Sequence, residues 1–160
     1  MLDCSGVKSI MWQAKQSGAV GLQAVHLVGW ADDDYVCARK LLLDGFLIQG
    51  AVLSNTAIEK YLKAVVRVRG LKFKRTHDVV QLYEQLKGNG FAPLHEGYLR
   101  ILRKTYKMRY PDDLEPNFNV GLCQSQMLAE LDASVFAIRS GFRFVVDHLN
   151  LHFFERSPEI

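Results

Sequence analysis

Residues 48–70, IQGAVLSNTAIEKYLKAVVRVRG, decide the fold class of this chain. With Leu47 just ahead, Ala51, Ile58, Leu62 and Val65 recur at steps near three, four and seven, which places them on one side of a helix. Arg67 and Arg69 fall in the last turn, where cations suit the negative end of the helix dipole, and Gly70 is a natural residue just past a helix end. The spacing predicts a helix from about 48 to 70 with one buried stripe. Glu59 and Lys63, four apart in the favourable order, predict a surface ion pair worth about 0.3–0.5 kcal/mol. Lys60, Lys63 and Arg67 form a cationic stripe along the same helix.

The same periodicity extends in both directions. Upstream, Asp32, Asp33 and Asp34 read as an N-cap and negative first turn, predicting a helix over about 34–46. Before them, Lys8 and Lys15 precede an uncharged run over 17–31 that loosely mimics a secretion signal. Gln23, His26, Gly18, Gly21 and Gly29 make it a poor one, and residues 1–29 read as a weakly structured N-terminal extension. Downstream, Thr76 or Asp78 caps a short third helix through Val79, Leu82, Tyr83 and Leu86, ended by Gly88-Asn89-Gly90. A fourth helix starts around Pro93, with Leu94, Tyr98, Ile101, Thr105 and Met108 as its apolar stripe. Arg100, Arg103, Lys104 and Lys107 lie opposite, and Pro111 forces the exit. In the last helix Leu128, Leu131, Val135, Ile138, Phe142, Val145 and Leu149 alternate three and four apart, the pattern of a bundle seam. No strand periodicity occurs. The expected fold is all-α, an up-and-down bundle of four to five helices over 30–152, with a tail at 153–160.

The 160 residues are 49% hydrophobic and 23% charged, which suits one globular domain that needs no disulfide or metal to hold a core. Cys4, Cys37 and Cys123 are odd in number and widely spaced, the usage of a reducing compartment, so a cytoplasmic location is expected. The net charge of +3 hides a segregation. Between Lys60 and Arg109 thirteen Lys and Arg stand against Asp78, Glu84 and Glu96, a surplus of ten. Such a surplus favours an anionic partner unless Asp32, Asp33, Asp34 and the acidic tail neutralise it in the fold.

Nucleotide-loop, nucleophile-elbow and zinc signatures are missing. His148 and His152 are four apart but lack the carboxylate of a zinc motif, so no metal and no cofactor is implied. Arg139 and Arg143 flank the seam of the last helix, where solvent, a partner chain, or Asp132 and Asp147 are open to them. Tyr83, Tyr98 and Tyr106 sit at helical positions that suit core and rim packing. Three segments carry the functional reading: Ala57-Ile58-Glu59-Lys60-Tyr61-Leu62-Lys63-Ala64, Thr76-His77-Asp78 at a helix start, and Met108-Arg109-Tyr110-Pro111-Asp112-Asp113 at a helix exit.

In this order, and followed by a long last helix, these segments resemble the HEPN family of helical domains over about 31–149. The resemblance implies a four- to five-helix bundle, a homodimer, and nucleotide or RNA binding; separately, no uncharged apolar stretch reaches the ~18 residues of a membrane span, so no membrane partner is expected. The resemblance further implies action beside a minimal nucleotidyltransferase or in a toxin–antitoxin pair. Carried onto this chain, the binding residues are Glu59, Lys60, Lys63, His77, Arg109, Tyr110 and Asp112. Lys63 and Arg109 would meet phosphate and Tyr110 would stack on a base. An alternative comes from the family's ribonuclease branch, whose Arg and His four to six residues apart match Arg143 and His148. There the His would handle the 2′-hydroxyl proton and the Arg the phosphorane charge, without metal. Residues five apart diverge by about 140° on a helix, Arg143 also stands four before Asp147, and Phe144 replaces the small polar residue of that branch. The leading expectation is therefore a non-catalytic binding domain. A third reading is an assembly module that pairs through the stripe of the last helix.

Overall fold

A computed structural model of the chain describes residues 19–72, 75–87 and 90–142. These form five α-helices and a 3-10 turn: α1 (Ala19–Leu43), α2 (Leu47–Val68), α3 (Val79–Leu86), α4 (Glu96–Lys107), the turn Pro111–Asp113, and α5 (Gln124–Ser140). No strand occurs among the described residues. The expected all-α class is therefore the observed one. α2 is the central element and packs against all four other helices, while α3 packs on α4 and α1 on α5.

The first helix starts fifteen residues before the expected position, at Ala19 rather than Asp34. Its buried face is Ala24, Val28, Ala31, Tyr35, Ala38 and Leu42, alternately four and three apart. Half of these are alanines, so the face is weak in hydrophobicity though regular in spacing. Small residues let α2 approach closely: a Cβ added to Gly50 would stand 2.7 Å from the Leu42 side chain. The three aspartates are thus not a cap but lie mid-helix. Asp32 accepts hydrogen bonds from Tyr61 on α2 and faces Arg139 on α5 at 3.4 Å. Burial raises the Asp32 carboxyl above the usual range, while Tyr61 and Arg139 pull it back. Asp34 holds Lys60 at 2.6 Å. Arg139 accordingly faces Asp32 rather than Asp132, which instead takes Arg39 at 3.3 Å and the Tyr35 hydroxyl at 2.9 Å.

α2 matches its expected bounds, and Ala51, Ile58, Leu62 and Val65 are buried. Arg69 caps it and Gly70 follows at φ +63°, with the Leu71 amide donating to Val66 O, the back-bonded ending that favours glycine. α4 begins at Glu96, later than expected, because the Leu94 amide is tied to the Tyr83 hydroxyl at 3.1 Å. Its buried face is Tyr98, Leu99, Leu102 and Thr105; Ile101 and Met108 are only half-buried, so the helix is rotated from the expected stripe. Arg100, Arg103, Lys104 and Lys107 are exposed as expected.

On α5, Met127, Leu131, Ser134, Val135 and Ile138 are buried, and Phe142 closes the core after Gly141 caps the helix. Val145 and Leu149 lie outside the described residues. The expectation that this stripe pairs with another bundle is corrected: from Leu131 to Phe142 it forms the chain's own core.

Candidate functional site

Helices α2, α3 and α4 converge where the three sequence segments meet. Glu59 projects from the buried side of α2, and its side chain is only 8% exposed. Lys63, one turn on, reaches the same carboxylate at 2.5 Å and is 13% exposed. The expected surface ion pair is therefore a nearly buried one. Burying a carboxylate requires such a partner, because an unpaired charge loses its water without compensation.

Asp78 starts α3 by accepting from the Val80 amide at 2.9 Å and the Gln81 amide at 3.3 Å, while Thr76 accepts from the Asp78 amide. This capping fixes the residue between them. His77 Nδ1 lies 3.0 Å from Glu59 Oε1. A carboxylate only accepts, so Nδ1 carries the proton of that bond and Nε2 is left facing outward. The His77 side chain is 67% exposed.

The third component comes from the end of α4. Tyr106 stacks on His77 with ring centroids 5.6 Å apart and planes 15° from parallel. The Arg109 guanidinium lies 5.0 Å from the Tyr106 ring centre and 5.8 Å from that of Tyr110. It forms no salt bridge among the described residues. Two residues past the Met108 cap of α4, Pro111 holds Tyr110 at φ −127° and ψ 75°, outside helical angles, and the Tyr110 ring is exposed. Burial raises the Tyr106 phenol above its ordinary value; Glu59 and Tyr110 add to the rise and Arg109 opposes it.

The structure thus brings Glu59, Lys63, His77, Arg109 and Tyr110 together as one shelf of alternating charge and aromatic faces. Lys60 is turned away to Asp34 on α1. Asp112 is exposed in the 3-10 turn just beyond Tyr110. Tyr106 is the member that reading for core and rim packing missed, whereas Tyr83 and Tyr98 are buried as that reading expects. Its signal was its place three residues before Arg109, about one turn apart across the end of α4. Arg143 and His148, the pair of the ribonuclease alternative, lie outside the described residues, as does His152. Among the described residues no group of His, Cys, Asp and Glu has the geometry of a metal site, and no helix is long and apolar enough to cross a membrane.

A family model for the HEPN domain matches residues 24–134. The chain belongs to the HEPN family. The match spans most of the chain and includes every member of the shelf, with α1 from Ala24 onward, α2 to α4 and the first two-thirds of α5. No curated protein and no solved structure matches this HEPN chain.

Proposed function

We propose that this HEPN domain binds a nucleotide or RNA phosphate on the shelf formed by His77, Tyr106, Arg109 and Tyr110. The observation that carries the reading is the state of Arg109. Its guanidinium is exposed, backed by two rings, and has no carboxylate to neutralise it among the described residues. A guanidinium fork matches two phosphate oxygens, and an adjacent exposed tyrosine offers a face for a base. The outward Nε2 of His77 adds a second polar contact. Asp112 supplies an acceptor at the rim for a base amino group or ribose hydroxyl.

Glu59 and Lys63 act beneath this surface, holding His77 rather than meeting the ligand. Lys104 and Lys107 on the open side of α4 add a positive field that draws an anion in. The family supports a setting beside a minimal nucleotidyltransferase or in a toxin–antitoxin pair, in a cytoplasmic homodimer.

Thermal unfolding with and without ATP tests the site. A ligand at 100 times its dissociation constant stabilises by about 2.7 kcal/mol, a rise of several degrees for a domain of this size. Arg109→Ala and Tyr110→Ala should each remove most of that rise, whereas Lys60→Ala should keep it. Wild-type stabilisation in Arg109→Ala would overturn the assignment.

A further inference from the structure

His77 meets the ligand space of the shelf with one ring nitrogen, and the fold decides what that nitrogen offers. Glu59 Oε1 takes the Nδ1 proton at 3.0 Å. A neutral imidazole carries a single N–H, so neutral His77 presents Nε2 as a bare acceptor. A phosphate oxygen also only accepts, and the two lone pairs repel. Once protonated, the same ring keeps its bond to Glu59 and turns Nε2 into a charged donor. Histidine makes this change between about pH 5 and pH 8.

The groups around the ring couple that proton to the ligand. From α2, Glu59 favours the imidazolium, but Lys63 pairs with the same carboxylate oxygen at 2.5 Å and offsets much of its charge. From α4, the Tyr106 ring stacks on His77 and also carries Arg109. The His77 ring and the Arg109 guanidinium stand 5.6 and 5.0 Å from that one ring centre, so at most the sum of these, 10.6 Å, separates them. They repel when both are charged. On the segment entering α3, exposed Arg75 adds positive charge, while Asp78 is occupied by the Val80 and Gln81 amides and by Arg103 at 3.6 Å. An anion bound between His77 and Arg109 offsets the repulsion and accepts the new N–H. Protonation and anion binding therefore each favour the other. The other described histidines stand elsewhere: His26 beside Trp30 on α1, and His95 beside Glu130 at the opposite end of α4.

We propose that the shelf takes up a proton when it binds phosphate, with Nε2 of His77 meeting the phosphodiester as an imidazolium, so that pH switches the affinity. The inference rests on the shelf as the phosphate site and adds how that site is regulated. The sign follows from linkage: affinity rises as pH falls through the histidine range, and levels off where His77 is charged before the ligand arrives. One added charge-assisted hydrogen bond at a side chain that is 67% exposed corresponds to about a tenfold gain in affinity. A neutral Nε2 that accepted a ribose hydroxyl would give the opposite sign, binding that weakens on acidification.

The probe is an oligouridylate without terminal phosphates, carrying a pH-insensitive dye, since neither its phosphodiesters nor its bases change charge across the histidine range. Fluorescence anisotropy at fixed ionic strength should show wild-type affinity rising about tenfold from pH 8 to pH 5. The rise should disappear in His77→Gln, whose amide still donates to Glu59 but takes up no proton, with circular dichroism checking that the variant is folded. Calorimetric titration of the wild-type chain at pH 7, in two buffers of unequal ionisation heat, should show net proton uptake on binding and needs no variant. Binding that Arg109→Ala weakens, but that is flat with pH, strengthens towards pH 8 or takes up no proton, would overturn the proton-coupled role of His77 and leave the shelf standing. So would a pH dependence that folded His77→Gln retains. Absence of binding at every pH, or binding indifferent to Arg109→Ala, would overturn the shelf and this inference together.

Discussion

Lys63→Met removes one partner of the pair on which the shelf rests. The substitution keeps the length of the side chain and takes away its charge and its capacity to donate hydrogen bonds. What remains is the Glu59 carboxylate, 8% exposed, with His77 as its remaining partner among the described residues. Removing one member of a buried pair costs about 3–5 kcal/mol, much of it the penalty on the stranded charge. Because Lys63 retains 13% exposure, water reaches one side and the lower end applies, about 3 kcal/mol. At 2–4 °C per kcal/mol for a chain of this size, the melting temperature should fall by roughly 6–12 °C. Glu59→Gln on top of Lys63→Met removes the stranded charge and should restore more than half of the loss. Urea unfolding followed by circular dichroism gives the three variant stabilities, and the cycle gives the coupling directly. A cost below about 0.5 kcal/mol, the value of an exposed pair, with no coupling to Glu59, would refute the view that Lys63 serves Glu59 rather than the solvent.

Other perturbations probe the packing that positions the site. Tyr61→Phe removes a hydrogen bond to the buried Asp32 carboxyl and should cost about 1–3 kcal/mol at pH 7. That bond lowers the Asp32 pKa, so losing it raises further a pKa that burial has already raised. A raised carboxyl favours the folded state when protonated, so the penalty of Tyr61→Phe should be smaller at pH 4 than at pH 7. Gly50→Ala gains helix propensity of up to about 1 kcal/mol yet should destabilise the fold. Its Cβ would press on Leu42, and over-packing of this kind costs about 1–3 kcal/mol. Cys123 is exposed at the start of α5, and hydrogen bonds from Ser125 and the Gln126 amide lower its thiol pKa. Mass spectrometry after brief iodoacetamide treatment near neutral pH should find it alkylated ahead of Cys37.

Where the sequence was legible, strong side chains marked the pattern. α2 and the cap at Asp78 follow from Leu, Ile and Val at helical spacing, from Gly70, and from an Asp whose short carboxylate suits an N-terminus. α1 was hidden because its buried face relies on Ala24, Ala31 and Ala38, and because three aspartates in its middle imitate a helix start. Only the tertiary contacts of Asp32 and Asp34 with Tyr61, Arg139 and Lys60 reveal why they are tolerated there. Within the site, Glu59, His77 and Arg109 stood out through their motifs. The motifs did not disclose that Lys63 turns inward to Glu59 while Lys60 turns to Asp34, since residues three apart on a helix look alike until the neighbouring helices are placed. Tyr106 was obscured by its company, being one of three tyrosines at helical positions of which two are core.

The affinity of a fluorescently labelled oligoribonucleotide as a function of salt, for the wild-type chain and Arg109→Ala, tests the central claim most directly. A guanidinium that meets phosphate contributes about 0.7 to the slope of log affinity against log salt on a single strand. The account predicts salt-dependent binding by the wild type, and weaker binding with a slope shallower by about that amount in Arg109→Ala. Equal affinity and equal slope in the two proteins would contradict it.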